Sequence, residues 1–88
     1  MSHDAYSALS DPTRRRILTA LCGGPRPVGE LVTALEVSQP TVSHHLKVLK
    51  NVGLLDAERR GTWVWYRINP ARRSAVTALL DAFAPAAI

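Results

Sequence analysis

The segment from residue 39 to residue 50 carries polar side chains whose chemistry suits contact with a polyanion. The segment has helical spacing, with an apolar stripe on one side. The other side carries Gln39, Thr41, Ser43, His44, Lys47 and Lys50. Each of these can donate a hydrogen bond, several can also accept one, and none is a carboxylate. A solvated helix face usually mixes in Asp or Glu, so we predict instead a surface that contacts DNA phosphates and base edges.

This segment has the start, stripe and stop of a helix. Its apolar positions are Val42, Leu46, Leu49 and Val52. Ser38 suits the N-cap, because its hydroxyl can accept from a free backbone N–H of the first turn. Pro40 falls in that turn, where its missing N–H costs little. Gly53 is a natural stop, since glycine adopts the left-handed conformation after a last turn.

A shorter helix precedes it, from about Val28 to Leu35, with Leu31 and Val32 in its buried stripe. The three residues 36–38 allow only a sharp turn between the two helices. We therefore predict a helix-turn-helix over about 28–52, with the second helix placed in the DNA major groove.

After Gly53 the hydrophobic pattern changes from helical to alternating. Residues 54–59 and 62–68 are predicted to be two strands of a β-hairpin over about 54–68. Alternation places Trp63, Trp65 and Arg67 on one face and Val64, Tyr66 and Ile68 on the other. The hairpin tip is basic through Arg59 and Arg60, which we expect to reach the adjacent minor groove or backbone as a wing. The alternative is a solvated turn.

The terminal segments are the expected dimer interface. Asn69 and Pro70 predict the start of a helix over about 70–83, which Pro85 ends. Its apolar side is Val76, Leu79, Leu80 and Phe83, and a short helix from about Asp4 to Leu9 adds Tyr6 and Leu9. In so small a domain we expect these side chains to contact a second copy, because two-fold proteins bind two-fold operators. Packing on the chain's own core is the alternative.

Another helix lies between the first and the helix-turn-helix. Asp11 and Pro12 predict its N-cap and first position, and Gly23-Gly24-Pro25 ends it. Its early turns hold Arg14, Arg15 and Arg16, which spread around the helix and cannot all face one target. We expect one or two to be solvated or paired with a carboxylate, and one to contact phosphate. Residues 24–27 are predicted to be a rigid link.

Bulk composition limits the class of protein. The 88 residues suffice for one domain, 1–88, with 47% hydrophobic residues and a net charge of +4, which favours a polyanionic partner. No apolar run approaches the roughly 20 residues of a membrane span, and no secretory signal is visible. A single cysteine forms no intrachain disulfide, so a reducing cytoplasm fits best. The fold class is mainly α with a two-stranded β-hairpin wing.

Five segments together resemble the ArsR/SmtB-type winged helix-turn-helix repressors. They are LSDPTRRRIL at 9–18, VSQPTVSHHLKVL at 37–49, GLL at 53–55, RG at 60–61 and YRI at 66–68. The resemblance implies a homodimer joined through terminal helices and an imperfect inverted repeat near the protein's own promoter. It also implies that an effector relieves repression, and that Gln39, Thr41, Ser43, His44 and Lys47 face the groove.

The chain departs from the metal-sensing members of that family. Where they carry ELCVC, this chain has Glu30-Leu31-Val32-Thr33-Ala34, without either cysteine. Other members bind metals through Asp and His on the last helix, but residues 71–83 contain Asp81 and no histidine. Soft and borderline metals need thiolate or imidazole ligands. We therefore expect no metal at the known family sites and no cofactor.

Other candidate sites are weaker. Cys22 alone cannot form a two-cysteine switch and is expected to be a buried residue at a helix end. His44 and His45 lie about 100° apart on a helix, so they are no metal pair; we expect His45 to pack or cap. His3 and Asp4 could complete a metal site between chains.

The leading hypothesis is thus a DNA-binding, dimeric transcriptional repressor without enzymatic activity, since no catalytic constellation is present. Two alternatives stay open: a winged-helix module that binds proteins, and a repressor that senses metal or thiol chemistry through an unusual site. The effector is equally open among hydrogen peroxide, a small organic ligand, a partner protein and none.

Overall fold

The computed structural model describes residues 5–84, which form five α-helices and a small sheet. The elements are α1 (Ala5–Ala8), α2 (Pro12–Leu21), β1 (Arg26–Pro27), α3 (Val28–Leu35), α4 (Gln39–Asn51), β2 (Leu55–Arg60), β3 (Trp63–Ile68), a 3-10 turn (Pro70–Arg72) and α5 (Arg73–Phe83). The expected helix start at Asp4, the stop at Pro85 and His3 lie outside the described residues. No helix within 5–84 has the length and apolar character needed to cross a membrane.

Side-chain caps start the helices where the sequence predicts them. The Asp11 carboxylate accepts from the backbone N of Thr13 at 2.7 Å and of Arg14 at 3.2 Å, at the start of α2. The Ser38 hydroxyl accepts from the backbone N of Thr41 at 3.4 Å, at the start of α4. The last helix differs in its first turn. Asn69 caps a single 3-10 turn before α5 begins.

The turn between α3 and α4 is made by residues 36–38, as expected, and it requires an unusual backbone. Glu36 has φ 55° and ψ 42°, the left-handed conformation that residues with a Cβ rarely adopt. It ends α3 and turns the chain into α4. At the other end of α4, Gly53 has φ 85°, which confirms its predicted role as the stop.

The wing is an antiparallel hairpin whose register runs from Leu55 opposite Ile68 to Arg60 opposite Trp63. A two-residue loop joins the strands, and its first residue, Gly61, has φ 63°, as a tight hairpin turn requires. A third strand is added to the predicted two. The expected rigid link supplies β1, which pairs antiparallel with β3 and gives the strand order β1-β3-β2.

The hydrophobic core lies where the helices pack on one face of this sheet. Its fully buried side chains are Leu9, Ile17, Leu18, Leu21, Leu31, Val42, Leu46, Leu49, Leu54 and Val76. The α4 stripe is confirmed at its first three positions, while Val52 is half-buried against the core edge. Because the stripe is buried, the orientation of α4 fixes which of its side chains face outward.

Two residues predicted at the dimer interface belong to this core instead. Leu9 and Val76 both have no exposed surface within one chain. They pack inside the protomer, because α1 and the first turns of α5 close over the ends of the core. A fully buried side chain offers nothing to a partner, so these two expectations are corrected.

Candidate nucleic-acid interface

The outer face of α4 is open along its length. All the predicted contact residues on this helix are exposed: Gln39, Thr41, Ser43, His44 and Lys47. Lys50 and Asn51 extend the same exposed polar surface to the end of the helix. Val42, Leu46 and Leu49 are completely buried on the opposite side. The helix thus presents a polar, carboxylate-free surface on a rigid apolar base.

The first turn of this face is held by a hydroxyl pair. The Ser38 hydroxyl donates to the Thr41 hydroxyl oxygen at 2.9 Å while it accepts from the Thr41 backbone N. Since a hydroxyl has one donor and two acceptor positions, Thr41 keeps its own hydrogen to donate outward. The N-cap therefore both starts α4 and orients a predicted contact residue.

A buried histidine anchors α4 to α2. The Arg14 guanidinium lies 3.3 Å from Nδ1 of His45, which is 8% exposed. Because a guanidinium can only donate, Nδ1 must be the accepting nitrogen, which places the ring proton on Nε2, 4.0 Å from the Asp11 carboxylate. We expected His45 to pack or cap, and its contact with Arg14 shows that it packs against α2. The available signal was its position three residues after Val42, on the buried side of the helix.

Burial lowers the pKa of His45, and the positive charges of Arg14 and His44 lower it further, against the opposing effect of Asp11. Burial alone would raise the pKa of Asp11. The backbone N–H groups of Arg14 and Thr13, together with the charges of His45 and Arg14, outweigh that effect, so the pKa of Asp11 is lowered. A neutral histidine therefore lies between a guanidinium and an ionised carboxylate at neutral pH.

The three consecutive arginines of α2 have a structural role that the sequence did not reveal. Arg14 donates to the carbonyl of Ala8, and Arg15 donates to that of Leu9 at 2.7 Å. Arg16 donates to the carbonyl of Leu35 at 3.0 Å. These carbonyls lie at the ends of α1 and α3, where no helical N–H can reach them. Each of the three guanidiniums thus bonds a carbonyl near a helix end, and the exposed position of Arg16 agrees with the expectation that one or two of them are solvated.

The two wing arginines differ in their surroundings. Arg60 pairs with Glu58 at 3.1 Å, and its guanidinium lies 4.6 Å from the ring centroid of Trp65. Arg59 is exposed, and within the described residues no bond or ion pair to its side chain is recorded. Strand alternation places Arg59 on the sheet face of Leu55, which packs on the core, and Arg60 on the other face.

The remaining predicted interface residues are brought together at the chain's ends. The rings of Tyr6 and Phe83 are 5.3 Å apart, and the Arg15 guanidinium lies 4.8 Å from the Phe83 ring. Tyr6 is 61% exposed, while Leu79, Leu80 and Phe83 are only half-buried. Together Tyr6, Leu79, Leu80 and Phe83 form an apolar surface on α1 and α5, which we call the terminal surface.

The side chains that could bind a metal or react as a thiol are the last group to place within residues 5–84. Over that range, no group of three or more His, Cys, Asp or Glu side chains could hold a metal ion. The thiol of Cys22, a residue expected to be buried, is half-buried where α2 ends. The pair His3 and Asp4 lies outside the described residues.

An exposed basic recognition helix, a preceding helix at a sharp turn and a following hairpin define a winged helix-turn-helix regulator, a class without catalytic machinery. The family model described as "Bacterial regulatory protein, arsR family" matches residues 11–57. The chain therefore belongs to the arsR family, which confirms the resemblance seen in its sequence, and it is a transcriptional regulator rather than an enzyme.

Relatives and solved structures agree with this assignment. Transcriptional repressor SdpR of Bacillus subtilis is 37% identical over 67 residues, which cover 76% of this chain and 74% of SdpR. Arsenic resistance transcriptional regulator ArsR2 of Pseudomonas putida is 42% identical over 79 residues, 89% of this chain and 69% of ArsR2. The homodimeric winged helix-turn-helix DNA-binding domain Mb0332 of Mycobacterium bovis superposes with a TM-score of 0.78 at 36% identity, over 86% of this chain and 70% of that one.

Proposed function

We propose that this chain represses transcription as a homodimer that binds an inverted-repeat operator, with α4 in the major groove of each half-site. The observation that carries the proposal is the outer face of α4: exposed, polar, without a carboxylate and fixed by a fully buried stripe. Such a face can approach a polyanion without like-charge repulsion. The repressor name of SdpR supports the direction of regulation.

The contact residues divide by chemistry into two groups. Lys47, Arg59 and Arg60 neutralise phosphates and supply affinity that falls with salt. The base edges are contacted by Gln39, Thr41, Ser43 and His44, whose side chains donate and accept hydrogen bonds in the groove. A glutamine at the start of the helix suits a bidentate contact with adenine.

Dimerisation through the terminal surface would give the complex its two-fold symmetry. The side chains available are Tyr6, Leu79, Leu80 and Phe83, and the homodimeric state of Mb0332 supports this arrangement. Two recognition helices related by a two-fold axis contact half-sites about 34–36 Å apart. The terminal surface therefore determines operator spacing, although it does not contact DNA.

We further propose that the chain acts in the cytoplasm and senses no metal through the family's known sites. Val32 and Ala34 occupy the positions of the family's two cysteines, and α5 has Asp81 without a histidine. Neither aliphatic side chain can coordinate a metal. An effector, where one acts, must use other groups.

The test is fluorescence-anisotropy binding to DNA from upstream of the protein's own gene, with random DNA for comparison, across a salt series. Selective binding by a dimer is expected. Gln39→Ala should reduce the preference for operator over random DNA by about 1–3 kcal/mol and leave random-DNA affinity unchanged. Thr77→Ala, which shortens an exposed polar side chain on α5, away from this face, is the control. Equal, weak binding to both DNAs would contradict the proposal and favour a protein-binding module.

A further inference from the structure

A groove of about 610 Å³ separates α3 from the wing and belongs to neither the α4 face nor the terminal surface. It is lined by Pro27, Gly29 and Ala34 from β1 and α3, which we call its floor, and by Trp63 and Trp65 from β3, which we call its wall. Its volume lies within the range of small-molecule sites, about 300–1,000 Å³. The lining is mostly apolar and aromatic, as such sites require.

Packing in the hydrophobic core does not explain the presence of the two tryptophans of the wall. Trp63 is 61% exposed and Trp65 is only half-buried, and strand alternation places both on the sheet face opposite to that of Ile68, which is buried in the core. A large aromatic ring left in water gains nothing for folding, because its apolar surface stays hydrated. Two indoles at i and i+2 on one strand offer adjacent flat surfaces on which another ring can stack.

Gly29 leaves space in the groove because it has no side chain, although neither its backbone conformation nor its packing requires a glycine. Its φ is not positive, and a Cβ built on it would meet no atom within 4 Å. Glycine in a helix is less favourable than alanine by up to about 1 kcal/mol. Neither backbone conformation nor close packing accounts for it, whereas an open groove does.

The mouth of the groove carries balanced charges. Arg26 and Glu30 form an ion pair at 3.3 Å, with side chains 41% and 55% exposed. A charged ligand would find no unbalanced partner here. We propose that this groove binds an uncharged, planar aromatic molecule of about two rings, stacked on Trp63 and Trp65 over the gap at Gly29.

Trp65 connects this groove to the wing tip. Its side chain lines the groove, and the Arg60 guanidinium lies 4.6 Å from the centroid of the same ring. A ligand that moves the indole therefore also moves Arg60. This regulatory consequence, unlike the site itself, rests on the proposed DNA-binding function.

The binding test uses N-phenyl-1-naphthylamine, an uncharged aromatic probe that becomes fluorescent in apolar surroundings. The chain has two tryptophans and both line the groove, so energy transfer from tryptophan reports bound probe, and the variants below locate it. Saturable transfer is expected with the full chain. Gly29→Leu should weaken binding at least about tenfold by filling the floor. Ala71→Leu, which adds the same side chain at an exposed position elsewhere, should leave it unchanged.

A second variant and a second probe keep the test independent of misfolding. Trp63→Ser removes an exposed ring, so the fold should survive while binding weakens. Because it also removes an energy donor, its dissociation constant is measured from the directly excited probe fluorescence. The sulfonated analogue 8-anilinonaphthalene-1-sulfonate should bind more weakly than the uncharged probe. Tighter binding of the sulfonate, or equal probe binding by Gly29→Leu, would overturn the site. If Gly29→Leu leaves probe binding unchanged and also alters the oligomeric state, the groove is instead an interface with a second copy of the chain.

The same probe is then added to the anisotropy assay. Operator affinity should fall several-fold for the unmodified chain and stay constant for Gly29→Leu. Probe binding with unchanged operator affinity would overturn the regulatory consequence alone. Probe binding by a chain that does not select any operator would leave the groove intact and contradict the proposed function instead.

Discussion

The outer face of α4 and the tip of the wing are both basic, but they differ in whether their charged side chains already have a partner within the chain. On α4, Lys47 is exposed on a surface without carboxylates. On the wing, Arg60 is held by Glu58 and by the Trp65 ring. A charge already paired within the chain gains less from a phosphate, because the first pair must be lost.

Because of this difference, we expect α4 and the wing to contribute differently to DNA binding. We expect the helix to supply most of the affinity and to contact the bases, since its groups need no prior rearrangement. We expect a weaker contribution from the wing. Within the wing the same contrast recurs: Arg59, on the face of the sheet that packs on the core, should contact DNA more strongly than Arg60.

We expect the largest effect from a substitution that dissociates the dimer, because it weakens the DNA contacts of α4 and of the wing together. Leu80→Glu places a charge in the terminal surface and should dissociate the dimer, so that operator affinity falls at least about 100-fold as the linked second site is lost. Light scattering and anisotropy measure both changes. Ala78→Glu, on the exposed opposite side of α5, is the control, and circular dichroism verifies the fold. A Leu80→Glu chain that remains dimeric would place the interface elsewhere.

Lys47→Ala tests the helix side of the comparison. Loss of one phosphate contact should weaken binding to all sequences and flatten the slope of log affinity against log salt by about one unit. Arg72→Ala removes the same charge from the turn before α5 and should leave the slope unchanged. If the Lys47→Ala slope equals that of the unmodified chain, Lys47 does not contact phosphate.

The wing side is tested by its two arginines. Arg59→Ala should weaken DNA binding by up to about 1 kcal/mol, and Arg60→Ala by less. Glu58→Gln breaks the intrachain pair, so Arg60→Ala made in that background should cost more than in the unmodified chain. A double-mutant cycle by anisotropy gives this coupling. An Arg60→Ala effect as large as that of Arg59→Ala, and independent of Glu58, would remove the distinction between the two arginines.

The smallest effect concerns the buried support of α4. The unfolded chain protonates His45 near the ordinary pKa of 6.5, whereas burial makes the folded chain do so only at lower pH. The unfolded state thus binds more protons in this window, and the contribution of His45 to stability, complete above about pH 6.5, is lost as the pH falls toward its lowered pKa. Urea unfolding between about pH 7.5 and 5 should show a shallower pH dependence for His45→Gln. Ser43→Ala, which removes an exposed, uncharged hydroxyl from the same helix, should retain the original dependence.

Local rules explain why much of the fold was predictable. Caps and stops act within a few residues, so Asp11, Ser38 and Gly53 mark the ends of helices from sequence alone. The alternation that predicts β2 and β3 is local in the same sense. Strand β1 escaped prediction because two residues, one of them proline, show no periodicity; its pairing with β3 depends on contacts about 40 residues away.

The candidate interface divides in the same way. Periodicity alone indicated which side chains of α4 face outward, because a buried stripe leaves only the opposite side exposed. Spacing could not show that Arg14, Arg15 and Arg16 bond the ends of other helices. Nor could it show that, among residues 5–84, Arg60 has a partner while Arg59 has none. Apolar spacing likewise could not distinguish Leu9 and Val76, inside the protomer, from Leu80 at its surface.

The sequence by itself thus determined the class of fold, the recognition helix and its polar face, because helix periodicity and capping operate over one or two turns. Only the tertiary structure decided the buried anchor between His45 and Arg14, the partners of the arginines and the groove between Trp65 and Gly29. Each of these joins residues far apart in the chain, and their contacts exist only once the core has brought the elements together.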